Sequence, residues 1–230
     1  MIYNDSRGGY INNVPSTFTR QNSDFCIGYA GGSVPANSVV INNGPNVANA
    51  INPVVYQGLR LSMLAKFNED WNLLIAQSFQ HMDAKGVFYQ MPYGADGQTL
   101  PDLSVTLFNP SDGVDKFENT AWTLNGRFGD LKAVYTGSYL DRMTDQTADY
   151  TNYSRGHYAD YYQCVKASNI PTGQAYCLSP SASWREQLQN THMSHEIRLS
   201  TPDDWHFRVI GGVFYENLNV YDQTDWSTTS

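Results

Sequence analysis

Apolar and polar residues alternate along three stretches of the chain, and each stretch contains two alternating runs joined by a short polar segment. The first stretch covers residues 59–81, where alternate residues from Leu59 onward are mostly apolar, and the pattern resumes at Trp71 after a polar turn at residues 68–70. A period of two is typical of β-strands, because successive side chains leave opposite faces of the strand. The stretch therefore predicts a β-hairpin with arms of about ten residues, long enough to cross a bilayer when tilted.

Two more hairpins are predicted, at residues 117–142 and 194–216. The turn of the second is the pair at 129–130, and the turn of the third lies at residues 201–204, with its returning strand starting at Trp205. Long segments rich in Gly, Asn, Pro and Ser separate the hairpins, and they show no period. The predicted loops are residues 10–58, 82–116 and 143–193.

The turns within hairpins are short, whereas the connections between hairpins are several times longer. Outer-membrane β-barrels have this asymmetry, with short periplasmic turns and long extracellular loops. One face of the six predicted strands is apolar and the other carries charged and amide side chains, as expected for lipid outside and water inside. A soluble barrel has the opposite arrangement, with its apolar side chains inside.

The predicted fold class is therefore all-β: a segment of an antiparallel transmembrane β-barrel with about six to seven strands, the seventh ending near Ile2. A closed transmembrane barrel needs about eight strands, and an open edge in lipid leaves backbone groups without hydrogen bonds. We therefore expect residues 1–230 to be a partial barrel domain of a larger protein. No basic and apolar leader opens the chain, so an exported protein would have its signal peptide upstream.

Composition supports this interpretation and excludes others. Charged residues make up only 16% of the chain, aromatic residues make up 13%, and the 16 tyrosines outnumber the other aromatic types. A net charge of −8 argues against nucleic acid as a partner. No run of 18 or more apolar residues is present, so no transmembrane helix is expected.

Charged residues recur on the polar side of the predicted strands. A wall that contacts a plug or a substrate is one interpretation, and ordinary lumen polarity that tolerates replacement is the simpler one. The residues predicted to face the lumen are Arg60, Lys66, Arg127, Lys132, Glu196, Arg198 and Arg208.

Aromatic residues and two cysteines are concentrated in the third predicted loop. Tyrosines on a folded loop can bind sugars and flat rings, although a self-packed external loop explains the same residues equally well. Cys164 and Cys177 predict a disulfide in an oxidising compartment, and unpaired thiols in a reducing one are the alternative. The candidate ligand-binding tyrosines are Tyr150, Tyr153, Tyr158, Tyr161 and Tyr162.

Metal and catalytic sites are not predicted. His192, His195 and Glu196 are close in sequence, but strand geometry sends the two histidines to opposite faces, so their side chains do not converge on one metal. Neither a nucleophile elbow, a P-loop, a dinucleotide-binding glycine motif nor a zincin motif occurs. We therefore expect no catalytic residues and no cofactor, and the protein is not expected to be an enzyme.

Several segments resemble the TonB-dependent receptors of Gram-negative outer membranes. They are RGGYINNVPSTFTR from Arg7, GVFYQMP from Gly86, KFENTAWTLNGRFGDLKAVYTGSYLDR from Lys116, DYTNYSRGHYADYYQC from Asp149 and SHEIRLSTPDDWHFRVIGGVFYE from Ser194. The last is the most specific, with a strand ending in E-x-R-L-S, a short turn and a strand rising to G-G-x-F-Y-E.

This resemblance implies a barrel of about 22 strands plugged by an N-terminal globular domain. It also implies energy-coupled import of a scarce nutrient, such as a siderophore, a vitamin or a glycan fragment, across the outer membrane of a Gram-negative cell. The implied partners are outer-membrane lipid, a small nutrient ligand, and the plug domain and TonB of the full-length protein; no plug sequence is identified in this chain. The alternatives are a passive porin-like barrel and a secreted β protein that binds carbohydrate.

Overall fold

The protein is described by a computed structural model that covers residues 1–19, 40–155, 164–166, 175–177 and 179–228. The described residues are almost entirely β-structure, with two short 3-10 helices at Gly44–Asn46 and Thr151–Arg155. The strands are β1 Ile2–Arg7, β2 Asn12–Asn13, β3 Thr17–Thr19, β4 Val40–Asn42, β5 Val54–Lys66, β6 Asn72–Lys85, β7 Ser104–Val105, β8 Asp112–Phe128, β9 Leu131–Asp149, β10 Cys164–Lys166, β11 Ala175–Cys177, β12 Ala182–Ser200 and β13 Ile210–Thr228.

Seven strands form one antiparallel sheet in the order β1-β5-β6-β8-β9-β12-β13. The all-β prediction is confirmed, and β1 supplies the seventh strand that was expected near Ile2. The sheet is open: within the described part of the chain, β1 and β13 are its two edges. Three two-stranded sheets, β2-β7, β3-β4 and β10-β11, lie in the connections between the long strands.

The long strands extend well beyond the predicted hairpins, always at the end away from the short turns. The hairpins expected at 59–81, 117–142 and 194–216 begin at Val54, Asp112 and Ala182 and continue to Lys85, Asp149 and Thr228. The predicted boundaries between strands and loops were therefore wrong. The strands stay paired through their backbones beyond the point where the alternation of apolar and polar residues is interrupted. The alternation changes because apolar side chains switch from one face of the sheet to the other along each strand.

The short turns agree with the predictions in two of three cases. Asn68 stabilises the first, because its Oδ1 accepts hydrogen bonds from the backbone N–H groups of Asp70 at 2.9 Å and Trp71 at 2.8 Å. Gly129 opens the second with φ +60°, a conformation that favours glycine in a two-residue hairpin turn.

The third turn is longer than predicted. The final cross-strand pair is Ser200 with Ile210, so residues 201–209 connect the strands and the strand expected from Trp205 was wrong. The backbone N–H of Thr201 donates to the carbonyl of Val209 at 3.1 Å, and the N–H of Val209 donates to Oγ1 of Thr201 at 3.0 Å. These bonds hold the connection out of the ladder, so Arg208 belongs to neither face of the sheet.

The strand register assigns every strand residue to one of two faces, because directly paired residues project to the same side. One face, here called the belt face, carries a continuous apolar belt beside the short turns: a row of pairs runs from Leu73 through Leu124, Tyr135 and Ile197 to Val213. The belt residues are Leu59, Leu61, Met63, Ala65, Leu73, Ile75, Phe79, Trp122, Leu124, Phe128, Leu131, Ala133, Tyr135, Tyr139, Met193, Ile197, Leu199, Val213 and Tyr215.

Much of this belt is exposed rather than packed against another layer. Leu61 is 58% exposed, Met63 61% and Val213 69%. An exposed apolar surface of this extent marks contact with a membrane or another protein.

The opposite face is mostly polar at the same level of the strands, although Leu64, Leu74, Val134 and Phe214 also project from it. Side chains bridge neighbouring strands there: Asn125 donates to Asn72 at 3.1 Å, and the hydroxyl groups of Ser138 and Ser194 lie 2.9 Å apart. The two faces therefore differ sharply in polarity next to the short turns.

The buried core lies in the connections at the other end of the strands. This loop cap consists of the described parts of residues 8–19, 40–53, 86–111 and 150–181. One cluster contains Ile11, Val87, Val105 and Leu107, and a second contains Phe18, Ala95 and Phe108. The strand-end residues Val54, Ala84 and Ala182 are also buried, and all three lie on the opposite face.

Candidate functional site

Buried asparagine side chains hold the segments of the loop cap together. Asn13 is 3% exposed, and its Nδ2 donates to the carbonyls of Asn46 at 2.8 Å and Leu107 at 2.9 Å, while its Oδ1 accepts from the N–H of Leu107 at 2.7 Å. Asn43 joins the same group, because its Nδ2 donates to the carbonyl of Val14 at 2.8 Å. An amide side chain both donates and accepts, so one residue can satisfy backbone groups from several loops.

A second network ties the end of β9 to the start of β12. Asn109 donates its backbone N–H at 3.1 Å and its Nδ2 at 2.8 Å to Oδ1 of Asp149. The same carboxylate oxygen accepts a bond of 2.7 Å from the hydroxyl of Thr151, and Nδ2 of Asn109 reaches the carbonyl of Ala182 at 3.0 Å. Thr151 is fully buried, so this junction is rigidly defined.

Three aromatic rings meet directly beside this junction and form what we term the aromatic corner: Tyr150, Tyr153 and Trp226. The rings of Tyr150 and Tyr153 stack with centroids 4.4 Å apart, and Trp226 meets Tyr150 edge to face at 4.8 Å. The backbone N–H of Tyr150 donates to the carbonyl of Ala182 at 2.7 Å, which fixes the corner to the sheet. Among the described residues, Trp226 is 59% exposed and Tyr153 40% exposed.

The aromatic corner lies at the loop end of the opposite face. Trp226 pairs directly with Trp184 across β12 and β13 on that face. Glu186 lies two residues further along β12 on the same side, where it accepts a hydrogen bond from Gln146. Trp226 and Glu186 therefore lie on the same face of the sheet.

Two tyrosines of the loop cap have pKa values raised by burial. Burial, and then the nearby charge of Asp149, raise the pKa of Tyr89 above its ordinary value. Burial, and then the neighbouring Tyr153, raise the pKa of Tyr150.

The structure brings together two of the five candidate tyrosines, Tyr150 and Tyr153. The other three, Tyr158, Tyr161 and Tyr162, lie outside the described residues. Sequence reasoning missed Trp184 and Trp226, because both were assigned to loops. Their even spacing from Leu188 and Leu218 on the same strands is the signal that could have found them.

The charged residues predicted to face the lumen share one face of the sheet, with one exception. Arg60, Lys66, Arg127, Lys132, Glu196 and Arg198 all lie on the opposite face, and Arg208 lies in the turn. Glu196 is bonded to Arg198 at 2.6 Å, and Lys132 reaches Asp203 at 2.5 Å. Arg127 and Lys132 lie directly opposite each other in β8 and β9, and the other charges are spread along the same face of the sheet.

The cysteine pair is described only through its backbone. Strands β10 and β11 pair antiparallel, with Cys164 directly opposite Cys177. Their side chains, like the whole of Cys26, are outside the described residues, so the disulfide stays a prediction.

Among the histidines, His192 projects to the opposite face and His195 to the belt face. His192 contacts Glu216 at 3.2 Å, and His195 contacts the hydroxyl of Tyr135 at 2.8 Å. In the part of the chain that is described, no group of three or more His, Cys, Asp or Glu side chains is arranged to bind a metal ion. No helix among the described residues has the length and apolar character needed to cross a membrane.

No protein-family model matches the chain, and no curated protein sequence matches it.

Proposed function

We propose that the chain is a wall segment of an outer-membrane transport barrel of the TonB-dependent receptor type. In the complete protein, the loop cap faces the outside of the cell and the opposite face lines the lumen. The nutrient binds at the loop end and crosses by energy-coupled rearrangement of a plug domain.

One observation carries this proposal: the apolar belt is exposed on one face, beside the short turns, while the opposite face carries most of the charged and amide side chains at the same level. In water, an exposed belt of this size is unfavourable, whereas in a bilayer it contacts hydrocarbon. The folded loop cap at the other end of every strand agrees with the segregation of long loops to the cell exterior.

The belt accounts for only part of each long strand. Beyond Leu59 and Phe79 the belt face becomes polar, with Gln57, His81 and Lys116 in successive strands. Strands that project beyond the bilayer into water are expected to have a polar outer surface near the loops.

The orientation is tested by inserting one epitope tag after Gly97 and another after Asp204 in the full-length protein. Gly97 lies in an exposed turn of the loop cap, where a side chain would meet no other atom within 4 Å of its Cβ. Asp204 is exposed in the connection between β12 and β13. We expect an antibody to bind the tag at Gly97 on intact cells and to bind the tag at Asp204 only after the outer membrane is permeabilised.

Equal binding to both tags on intact cells, or binding only to the tag at Asp204, would contradict the proposed orientation. Energy coupling is tested separately, by following nutrient uptake while the proton gradient is collapsed. Uptake that continues unchanged would indicate a passive barrel.

A further inference from the structure

A shallow depression lies on the belt face, where the apolar belt ends and the polar part of the strands begins. Its volume is about 570 Å³, and residues of β5, β6, β8, β9 and β12 line it. Leu59 and Phe79 are among them, and these two residues pair directly in the last row of the belt. Neither β1 nor β13 contributes to the lining, so the depression is formed within the paired sheet and not at its edges.

Four side chains that can carry a charge line this depression. Lys116 and Glu118 project from β8 two residues apart. Their direct partners across the ladder are His81 in β6 and Asp141 in β9. Directly paired side chains lie about 5 Å apart, and side chains two residues apart on one strand lie about 7 Å apart. The register therefore places a pair of hydrogen-bond donors next to a pair of carboxylates.

The charges in the depression lack partners, in contrast to others near the loop ends of the same face. There, Arg185 contacts Asp145 at 2.5 Å. Within the described residues, none of the four side chains of the depression forms an ion pair. Only Asp141 has a side-chain hydrogen bond, a long one of 3.4 Å from Gln189. A cavity that brings together polar groups without partners is a candidate binding site.

The depression lies at the depth of lipid headgroups if the belt contacts hydrocarbon as proposed. Glu118 and Asp141 continue the row of Leu59 and Phe79, and Lys116 lies two residues nearer the loops. Membrane strands tilt by about 35–45°, so this step changes the depth by only about 5 Å. The headgroup layer is about 5–8 Å thick on each side of the bilayer. All four side chains therefore fit within one headgroup layer.

We propose that the depression binds the headgroup of a zwitterionic membrane lipid that carries a phosphate and a primary ammonium group. This rests on the proposed function, which places the belt in lipid. The phosphate accepts hydrogen bonds from Lys116 and His81, and the ammonium group donates to Glu118 and Asp141. The acyl chains extend along the apolar belt. An anionic lipid without an amine leaves both carboxylates unpaired, and a quaternary amine has no N–H to donate to them.

The test is native mass spectrometry of the full-length protein in detergent, titrated separately with phosphatidylethanolamine, phosphatidylcholine and phosphatidylglycerol of identical acyl chains. We expect phosphatidylethanolamine to bind at least about fivefold more tightly than the other two, because each of them lacks the hydrogen bonds to the carboxylates. Lys116→Gln should weaken its binding by about fivefold, and Glu118→Gln should reduce its preference over phosphatidylglycerol by a similar factor. Free phosphoethanolamine at equal concentration should not displace the lipid, because it lacks the chains that contact the belt.

Lys85→Gln is the matched control, because Lys85 projects from the same face outside the depression and is paired with Asp83 at 3.2 Å. We expect this variant to bind phosphatidylethanolamine as the parent does. Equal affinity for the three lipids, equal loss in Lys85→Gln and Lys116→Gln, or displacement by free phosphoethanolamine would each overturn the headgroup site and leave the lipid contact of the belt untouched. Binding of none of the three lipids would contradict that lipid contact as well.

Discussion

Leu61→Arg is expected to destabilise the membrane-inserted protein by about 2–4 kcal/mol, whereas Ser62→Arg should change its stability by less than about 0.5 kcal/mol. Both residues are exposed neighbours in β5, and they differ in the face from which they project. Leu61 belongs to the apolar belt, so an Arg there would lie in hydrocarbon if the belt contacts lipid as proposed. An Arg at position 62 joins Arg60 on the polar face, where water is expected.

The measurement is urea unfolding of the full-length protein reconstituted in lipid vesicles, with both variants studied beside the parent. Ser62 makes no side-chain hydrogen bond to any residue that the structure describes, so its replacement serves as the control. Equal destabilisation by the two variants would mean that the two faces meet the same environment, against the proposed lipid contact.

Asn13→Ala should have the largest effect on the loop cap. The change removes two donated bonds, to Asn46 and Leu107, and leaves the buried N–H of Leu107 without its acceptor. Unsatisfied buried groups cost about 1–3 kcal/mol each, so we expect the cap to lose about 3 kcal/mol of local stability.

Hydrogen exchange of the backbone amides in residues 104–108 measures this loss. A loss of about 3 kcal/mol corresponds to exchange that is roughly a hundredfold faster. Asn219→Ala is the control, because Asn219 is exposed and its amide donates only to its neighbour Asn217 at 2.9 Å. Unchanged exchange in Asn13→Ala would contradict the role assigned to the buried asparagines.

The parts of the fold that could be predicted from sequence are those where polarity and backbone structure coincide. Beside the short turns, the belt residues alternate with mostly polar residues, with Leu64, Leu74 and Val134 as exceptions, so the three hairpins and the apolar face were recognisable. The turns at 68–70 and 129–130 were equally clear, because Asn68 and Gly129 have side-chain and backbone properties that favour a chain reversal.

The loop ends of the strands were missed for a physical reason. In β13, Val213 and Tyr215 are apolar on the belt face, whereas Leu218, Val220 and Trp226 are apolar on the opposite face. A change of face looks like a break in the period, although the backbone ladder continues through it. Trp226, and with it the aromatic corner, was assigned to a loop for this reason.

The loop cap could not be predicted, because it depends on contacts between distant segments. Asn13 and Leu107, for example, are 94 residues apart in the chain. Nothing in local composition distinguishes a buried Asn that joins three segments from an exposed Asn in a turn. The candidate site was therefore half predicted: its tyrosines from composition, and its tryptophans and supporting network only from the structure.

The most direct test of the central claim is the labelling of single cysteines on alternate faces. Cysteines are placed at Leu61, Leu73 and Leu124, and separately at Arg60 and Asn125, in full-length protein whose three native cysteines are replaced by serine. In native membranes, we expect a lipid-soluble maleimide alone to label the three belt positions. A water-soluble maleimide should label the two polar positions, and equal labelling of both sets by the water-soluble reagent would contradict the barrel.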